Sequence, residues 1–133
     1  MKYFSIKELC KSDTAELLKI DNTPSEEIKE NLEALTVHVL DPLRESYGKP
    51  IRVNSGYRSP ELNNALKGAA DSQHMKGEAA DITAGSREEN KKLFQLIIQN
   101  GVYDQLIDEK DYSWVHVSHK KNLKNRKQVL YVK

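Results

Sequence analysis

The sequence contains one cysteine, Cys10, so the chain cannot form an internal disulfide. This excludes a disulfide-stabilised scaffold and a zinc site built from several cysteines. Long apolar segments are also missing, since the longest runs are only a few residues, such as 96–98. We therefore predict no membrane insertion. Residues 1–8 lack the apolar stretch of a secretion signal, so we expect synthesis in the cytoplasm, with non-classical release if the protein acts outside the membrane.

Charge of one sign is not in excess either. The chain has 21 Lys and Arg against 20 Asp and Glu. A nucleic-acid-binding protein usually has a clear basic excess, so we predict no nucleic-acid partner. The locally basic segment 120–127 is typical of a solvated surface. The 133 residues, of which 38% are hydrophobic and 31% charged, predict a single domain over 1–133, which we expect to be monomeric.

The N-terminal third has the periodicity of helices. Ser5 and Glu8 have the spacing of a capping box that opens a short helix. A longer helix is predicted to begin with Thr23 as its cap, to be interrupted near its end by Pro42, and to stop at Gly48. Its apolar face recurs at helical spacing and comprises Ile28, Leu32, Leu35, Val39 and Leu43.

After residue 50 the pattern changes to short strands mixed with helices. Ser86 and Glu89 open a second amphipathic helix, which Gly101 ends. The buried face of that helix is predicted to contain Leu93, Phe94, Ile97 and Ile98. The predicted strands are 51–53, 79–83, 103–107, 113–118 and 128–132. Helices lead and strands cluster later, so the predicted fold class is α+β, with a mostly antiparallel sheet of about five short strands.

Three separated residues suggest a metal site. His74 lies in a polar loop, and Asp81 lies in a strand of small and apolar residues, where an unpaired carboxylate would be costly. In a later strand Trp114, His116 and Ser118 share one face, as expected for the floor of a groove. Two imidazoles and one carboxylate are a suitable ligand set for Zn2+ and leave one position open for water. The same set would also accept other divalent ions.

The pattern S-x-H-x-x-G-x-A-x-D at 72–81, followed by Trp-Val-His at 114–116, resembles the M15 group of zinc peptidases. This group contains D-Ala-D-Ala carboxypeptidases, dipeptidases of vancomycin resistance and L-Ala-D-Glu endopeptidases of phage endolysins. The hedgehog signalling domain shares their zinc site and fold. The resemblance extends over most of the chain and includes the segment I-R-V-N-S-G-Y-R-S at 51–59. It implies a hedgehog-like or D-Ala-D-Ala peptidase-like fold.

The resemblance implies that His74, Asp81 and His116 bind zinc. It also implies that Arg58 contacts the substrate or stabilises the developing oxyanion, for which a planar guanidinium is suited. A structural salt bridge is the alternative role for Arg58. Ser72 matches a substrate-contacting hydroxyl of relatives, and a serine that caps a turn is the alternative.

The general base is less well defined by the sequence. Many relatives have a carboxylate three residues before the last histidine, where this chain has Ser113. Glu109, which follows a predicted strand, is the preferred candidate. Asp111 is the second candidate, if the turn 110–113 folds back over the metal. The chosen carboxylate would take a proton from the attacking water and pass it to the leaving amine.

Other residues have smaller predicted roles. Trp114 and Tyr57 are candidate walls of a substrate groove, although Tyr57 is equally consistent with the core. His38 and His119 are expected not to bind metal. Cys10 lies in a short predicted helix without an ordered partner in sequence, so a cysteine-peptidase function is disfavoured.

The sequence thus predicts a zinc-dependent peptidase that hydrolyses peptidoglycan stem peptides, most similar to a D-Ala-D-Ala carboxypeptidase. An endopeptidase that cuts L-Ala-D-Glu bonds or crosslinks is one alternative. A catalytically inactive, zinc-containing binding module is another, motivated by Ser113 at the usual position of the base. A structural protein with a fortuitous motif is a third. The short chain resembles compact phage enzymes that reach the cell wall at lysis.

Overall fold

The computed structural model describes residues 1–122 and 124–133, which form an α+β fold. The helices are α1 (Ile6–Cys10), α2 (Asp13–Leu18), α3 (Glu26–Leu35), α4 (Asp41–Tyr47), α5 (Pro60–Ala65) and α6 (Arg87–Asn100). A π-helical segment (Thr36–Leu40) joins α3 to α4, and a 3-10 helix (Gln73–Lys76) precedes the second strand. The strands are β1 (Arg52–Ser55), β2 (Ala79–Thr83), β3 (Gln105–Glu109), β4 (Trp114–Ser118) and β5 (Gln128–Val132).

The strands form one sheet in the order β1-β2-β4-β3-β5. All neighbouring pairs are antiparallel except β3 and β5, which are parallel. The predicted α+β class with a mostly antiparallel sheet is therefore confirmed, with one parallel pair added. Strand order places β2 and β4 side by side, so that Asp81 pairs with His116, 35 residues further along the sequence.

The long N-terminal helix begins later than predicted. Its cap is Ser25, whose hydroxyl accepts a hydrogen bond from the Ile28 N–H, so the prediction of Thr23 as the cap is wrong. The predicted interruption near Pro42 is confirmed, because the π-helical segment ends directly before the first turn of α4, which contains this proline. A proline ring has no N–H and crowds the preceding turn, and a widened turn accommodates both effects. Gly48, at φ 78°, ends α4 as predicted.

The core lies between the helices and one face of the sheet. From the sheet it receives alternate residues, namely Ala80, Ile82, Leu106, Val115 and Val117. From the helices it receives Leu9, Leu32, Leu35, Leu43, Leu93, Phe94 and Ile97, among others. Ile98 is 42% exposed, so its predicted burial is wrong, because it lies on the outer side of α6. The intervening sheet residues, including Asp81 and His116, face away from this core.

Among residues 1–122 and 124–133, no helix is both long and apolar enough to span a membrane.

Ser118 does not line the predicted groove. It is fully buried, and its hydroxyl accepts a hydrogen bond from the Gln105 N–H. This contact ties the end of β4 to the start of β3.

Asn90 connects α6 to two strand ends. Its side-chain oxygen accepts hydrogen bonds from the Thr83 hydroxyl and the Ala84 N–H, at 3.1 and 2.7 Å. Its amide nitrogen donates to the carbonyls of Tyr112 and Ser113, at 2.9 and 3.2 Å. Asn90 is 1% exposed. One buried side chain therefore fixes both the exit of β2 and the entry of β4.

We expect Asn90→Ala to lower the free energy of unfolding by about 2–4 kcal/mol, because it leaves buried backbone groups without partners. The measurement is urea denaturation followed by circular dichroism. Gln95→Ala, on the exposed side of the same helix, is the matched control and should change stability little. Equal effects of the two substitutions would contradict this role of Asn90.

Candidate metal centre

The structure brings His74, Asp81 and His116 together. Asp81 and His116 are direct cross-strand partners on β2 and β4, and His74 reaches them from the 3-10 helix. The Nδ1 atom of His116 lies 2.9 Å from Asp81 Oδ1, and the Nε2 atom of His74 lies 3.4 Å from Asp81 Oδ2. One ligand atom of each residue lies within 4.8 Å of the others. In the part of the chain that the structure describes, no other group of three His, Cys, Asp or Glu residues meets in this way.

His74 is oriented by its backbone surroundings. Its ring Nδ1 lies 2.7 Å from the Gly56 carbonyl oxygen, so Nδ1 carries the proton and Nε2 is free to bind a metal. The Ser72 hydroxyl accepts a hydrogen bond from the His74 N–H at 3.2 Å. Gly77, at φ 72°, ends the turn, and a Cβ there would come within 2.8 Å of the Ile28 carbonyl oxygen. A side chain at residue 77 would therefore displace the turn that holds His74.

Asp81 is a buried carboxylate surrounded by positive or hydrogen-bonding groups. Burial by itself would raise the pKa of Asp81, but the adjacent imidazoles of His116 and His74 hold it well below its ordinary value. The Arg58 guanidinium adds a contact of 3.4 Å to Oδ2. An ionised carboxylate between two imidazole nitrogens has the chemistry that zinc prefers in proteins, so the residues present fit this ion.

Arg58 is fixed on three sides. Its Nε donates to the Ser55 hydroxyl at 2.9 Å, and its Nη1 donates to Asn63 Oδ1 at 3.3 Å. Its backbone N–H donates to the His74 carbonyl at 3.0 Å. Arg58 also forms a salt bridge with Asp81 and borders the cavity described next. The structural salt bridge is therefore present, and the contact of Arg58 with substrate stays a prediction.

A cavity of about 560 Å³ lies over the metal centre. Of the residues predicted to surround the site, Arg58, Ser72, Glu109 and Trp114 line it together with the three metal-centre residues. Gln105 and Ile107 of β3 and the distant Arg126 also line it, and sequence reasoning did not identify them. Strand alternation back from Glu109 could have identified the two β3 residues. Arg126 gave no such signal, because it lies in the basic segment interpreted as solvated surface.

Glu109, the preferred candidate for the general base, lies at the cavity on the same face of β3 as Ile107. Ile107 pairs with His116 across the sheet, and Glu109 lies two residues further along the same face of β3. Such diagonal neighbours are roughly 7–8 Å apart. Partial burial first, and the nearby charge of Asp81 second, raise the pKa of Glu109 above its ordinary value. Ser113 is exposed and donates its hydroxyl to the Lys110 carbonyl, so it does not replace a base.

Asp111, the second candidate for the base, lies outside the cavity. Its carboxylate pairs with Arg87 of α6 and is 64% exposed. Residues 110–112 all have φ between 50° and 60°, and this left-handed turn leads toward α6. The expected folding of this turn over the metal is therefore wrong.

Tyr57 belongs to the core. It is 8% exposed, and its N–H donates to the Leu9 carbonyl at 2.8 Å. It borders a second cleft, lined also by residues of α1, α2 and β1, and is not among the residues that line the cavity over the metal centre. Its predicted role as a wall of the active-site groove is wrong, while Trp114 does line that cavity.

Comparisons with known proteins give one family pattern and two similar proteins. The sequence pattern of the family described as Peptidase M15 matches residues 2–118. Over 54 residues the chain is 46% identical to the zinc D-Ala-D-Ala carboxypeptidase of Streptomyces albus G, covering 40% of this chain and 21% of that protein. The match therefore spans only a small part of the carboxypeptidase. The L-Ala D-Glu endopeptidase ChiX of Serratia marcescens is similar in structure, with a TM-score of 0.48 and 16% identity over 73% of this chain and 89% of that one.

We expect the protein to bind zinc stoichiometrically, and His74→Ala, Asp81→Ala or His116→Ala to abolish this binding. The affinity for zinc should fall by more than the roughly 10- to 100-fold that loss of an outer-shell partner causes. Metal content after dialysis and calorimetric titration with zinc measure it. His38→Ala removes an exposed histidine that stacks on His119 at 5.1 Å, and it should bind zinc like the wild type. Full zinc binding by the Asp81 variant would refute this ligand set.

Proposed function

The chain belongs to the peptidase M15 family, and from this premise we propose that it is a zinc-dependent peptidase acting on peptidoglycan stem peptides. The observation that carries the proposal is the His74–Asp81–His116 group at the floor of an open cavity that also contains a carboxylate and a guanidinium. Zinc, when bound there, would lower the pKa of a water molecule and polarise the scissile carbonyl.

The surrounding residues would supply proton transfer, stabilisation of negative charge and contact with the substrate. Glu109 is partly buried with a raised pKa, which suits a carboxylate that accepts a proton from the attacking water and returns it to the leaving amine. Arg58 is held by Ser55 and Asn63, so its guanidinium can stabilise negative charge on the carbonyl oxygen without reorganising. Trp114 forms an apolar wall at the Glu109 end of the cavity, since the two residues are cross-strand partners.

Cleavage at the peptide terminus, as in a D-Ala-D-Ala carboxypeptidase, is the first candidate reaction. It is supported by the similarity to the Streptomyces carboxypeptidase. One observation favours the endopeptidase alternative. A second cleft, of about 770 Å³, runs along β1 and shares Arg58 and Leu66 with the metal-centre cavity. A substrate that occupies both cavities would extend past Arg58 and away from the metal centre, as an internal segment of a peptide does.

Zinc-loaded protein incubated with chemically defined muropeptides should release products that mass spectrometry identifies. Loss of a terminal D-Ala would indicate a carboxypeptidase. A cut between L-Ala and D-Glu, or at a crosslink, would indicate an endopeptidase. Metal-free protein is the control and should be inactive. Zinc binding with no cleavage of any of these peptides would contradict the peptidase proposal and favour a binding module.

Glu109→Gln should reduce kcat by about 100-fold or more while zinc remains bound, because the amide cannot accept the proton. The matched control is Asp111→Asn, which makes the same chemical change in the same hairpin but outside the cavity. It should retain activity within about twofold of the wild type. Steady-state kinetics with parallel metal analysis measure both variants. The reverse result, an active Glu109 variant and an inactive Asp111 variant, would show that Asp111 is the base.

A further inference from the structure

A second fully buried carboxylate, Asp104, lies just before β3 and outside the metal centre. Its Oδ1 accepts hydrogen bonds from the Arg126 backbone N–H at 2.9 Å and from Arg126 Nε at 3.1 Å. Its Oδ2 accepts from Arg126 Nη2 at 2.8 Å and from Gln73 Nε2 at 3.1 Å. Burial acts to raise the pKa of Asp104, but the Arg126 contacts outweigh it and lower the pKa to about 2. Asp104 is therefore ionised and fixes the orientation of one guanidinium.

Asp104 contacts only one edge of the Arg126 guanidinium. The Nε and Nη2 edge of Arg126 faces the carboxylate, while Nη1 has no hydrogen-bond partner among residues 1–122 and 124–133. The Arg126 side chain is 49% exposed, and the residue lines the metal-centre cavity. The Nη1 and Nη2 atoms form a second fork, which matches the two oxygens of a carboxylate.

The local charge favours an anion at this fork. Lys120 Nζ lies 3.8 Å from Asp104 Oδ2, and Glu78 and Lys76 are charged neighbours of this pair. The three cations Arg126, Lys120 and Lys76 together outweigh the two carboxylates Asp104 and Glu78. Arg58, by contrast, is already engaged by Asp81, Ser55 and Asn63. Of the two arginines in the cavity, Arg126 therefore has the more available donors.

The position of Arg126 relative to the metal centre follows from the sheet. Ile107 is opposite His116, and Gln105 lies two residues before Ile107 on the same face of β3. Because a strand rises roughly 3.3 Å per residue, Gln105 lies roughly 6.6 Å from Ile107 along β3. Gln105 pairs with Gln128 of β5, which follows Arg126 by two residues. Arg126 therefore lies near the Gln105 end of the cavity, on the opposite side of His116 from Glu109.

We propose that Arg126 is a specificity-determining residue that binds a carboxylate of the substrate beside the scissile bond, and that Asp104 is its positioning residue. The proposal rests on the proposed peptidase function. Arg126 lies outside the region matched by the family pattern, which ends at residue 118, whereas Asp104 lies inside it. The carboxylate is either the free terminus of a stem peptide or the free carboxylate of its D-Glu residue, and both present the same chemistry to the fork.

The test measures cleavage of three matched peptides by the zinc-loaded protein. In the first peptide the terminal carboxylate is converted to an amide, in the second the D-Glu carboxylate is converted, and in the third neither is. In the wild type, amidation of the recognised carboxylate should lower kcat/KM by roughly 10- to 100-fold, mainly through KM. Arg126→Ala should lower kcat/KM for the free acid by a similar factor and leave the amide unchanged. The peptide whose amidation lowers kcat/KM shows which of the two carboxylates Arg126 binds.

Matched variants separate recognition from folding. Arg126→Lys keeps the charge without the fork and should restore part of the preference for the acid. Arg87→Ala removes another arginine paired with an aspartate, but outside the cavity, and should retain the full preference. Asp104→Asn should weaken the preference for the acid without removing the guanidinium. Binding of acid and amide peptides with a reduced scissile bond, measured by calorimetry, should show the same differences.

Two outcomes would overturn the proposal. One is an equal loss by Arg126→Ala on acid and amide peptides, which would indicate a structural role. The other is a wild-type protein that does not distinguish acid from amide. Either result leaves the peptidase function intact if the wild type cleaves the peptides. If the wild type cleaves none of them, the proposed function fails, and the calorimetric comparison alone decides whether Arg126 binds a carboxylate.

Discussion

The constraint on which the site depends is the burial of the Asp81 carboxylate in the strand β2. A carboxylate removed from water must be compensated by several partners, and here they come from separate parts of the chain. His116 approaches from the adjacent strand, His74 from the 3-10 helix and Arg58 from the loop after β1. Two of these partners are in turn fixed by other contacts, His74 by the Gly56 carbonyl and Arg58 by the side chains of Ser55 and Asn63. The negative charge thus explains why the loops around β2 converge on one point.

Features that depend on short-range pattern could be predicted from the sequence. The bounds of β2 and β5 agree with the predicted strands, because their apolar residues and flanking turns are local signals. The caps Ser5 and Ser86 and the helix stops Gly48 and Gly101 were readable for the same reason. The three metal-centre residues were recognised because alternation along β4 and the family motif pointed to the same side chains.

Features that depend on long-range packing could not be predicted in this way. Nothing local in the sequence shows that β5 pairs in parallel with β3, and this pairing carries Arg126 to the cavity. The error on Asp111 has a similar origin, since consecutive left-handed residues and a partner on α6 determine where its turn goes. Tyr57 lies one residue from Arg58, yet it packs into the core because the chain turns there around Leu9.

The two buried carboxylates are connected through the short 3-10 helix. Gln73 donates to Asp104, while the next residue, His74, contacts Asp81. The helix is therefore held at adjacent positions by two ionised groups, one at the metal centre and one behind Arg126. Because neither carboxylate can move without leaving a buried charge unpaired, the distance between the metal centre and the Arg126 end of the cavity is fixed by the fold. A fixed distance of this kind would help a peptidase to place one bond of a flexible peptide at the reacting centre. The binding groups are already oriented by folding, so their orientation costs no further entropy when the substrate binds.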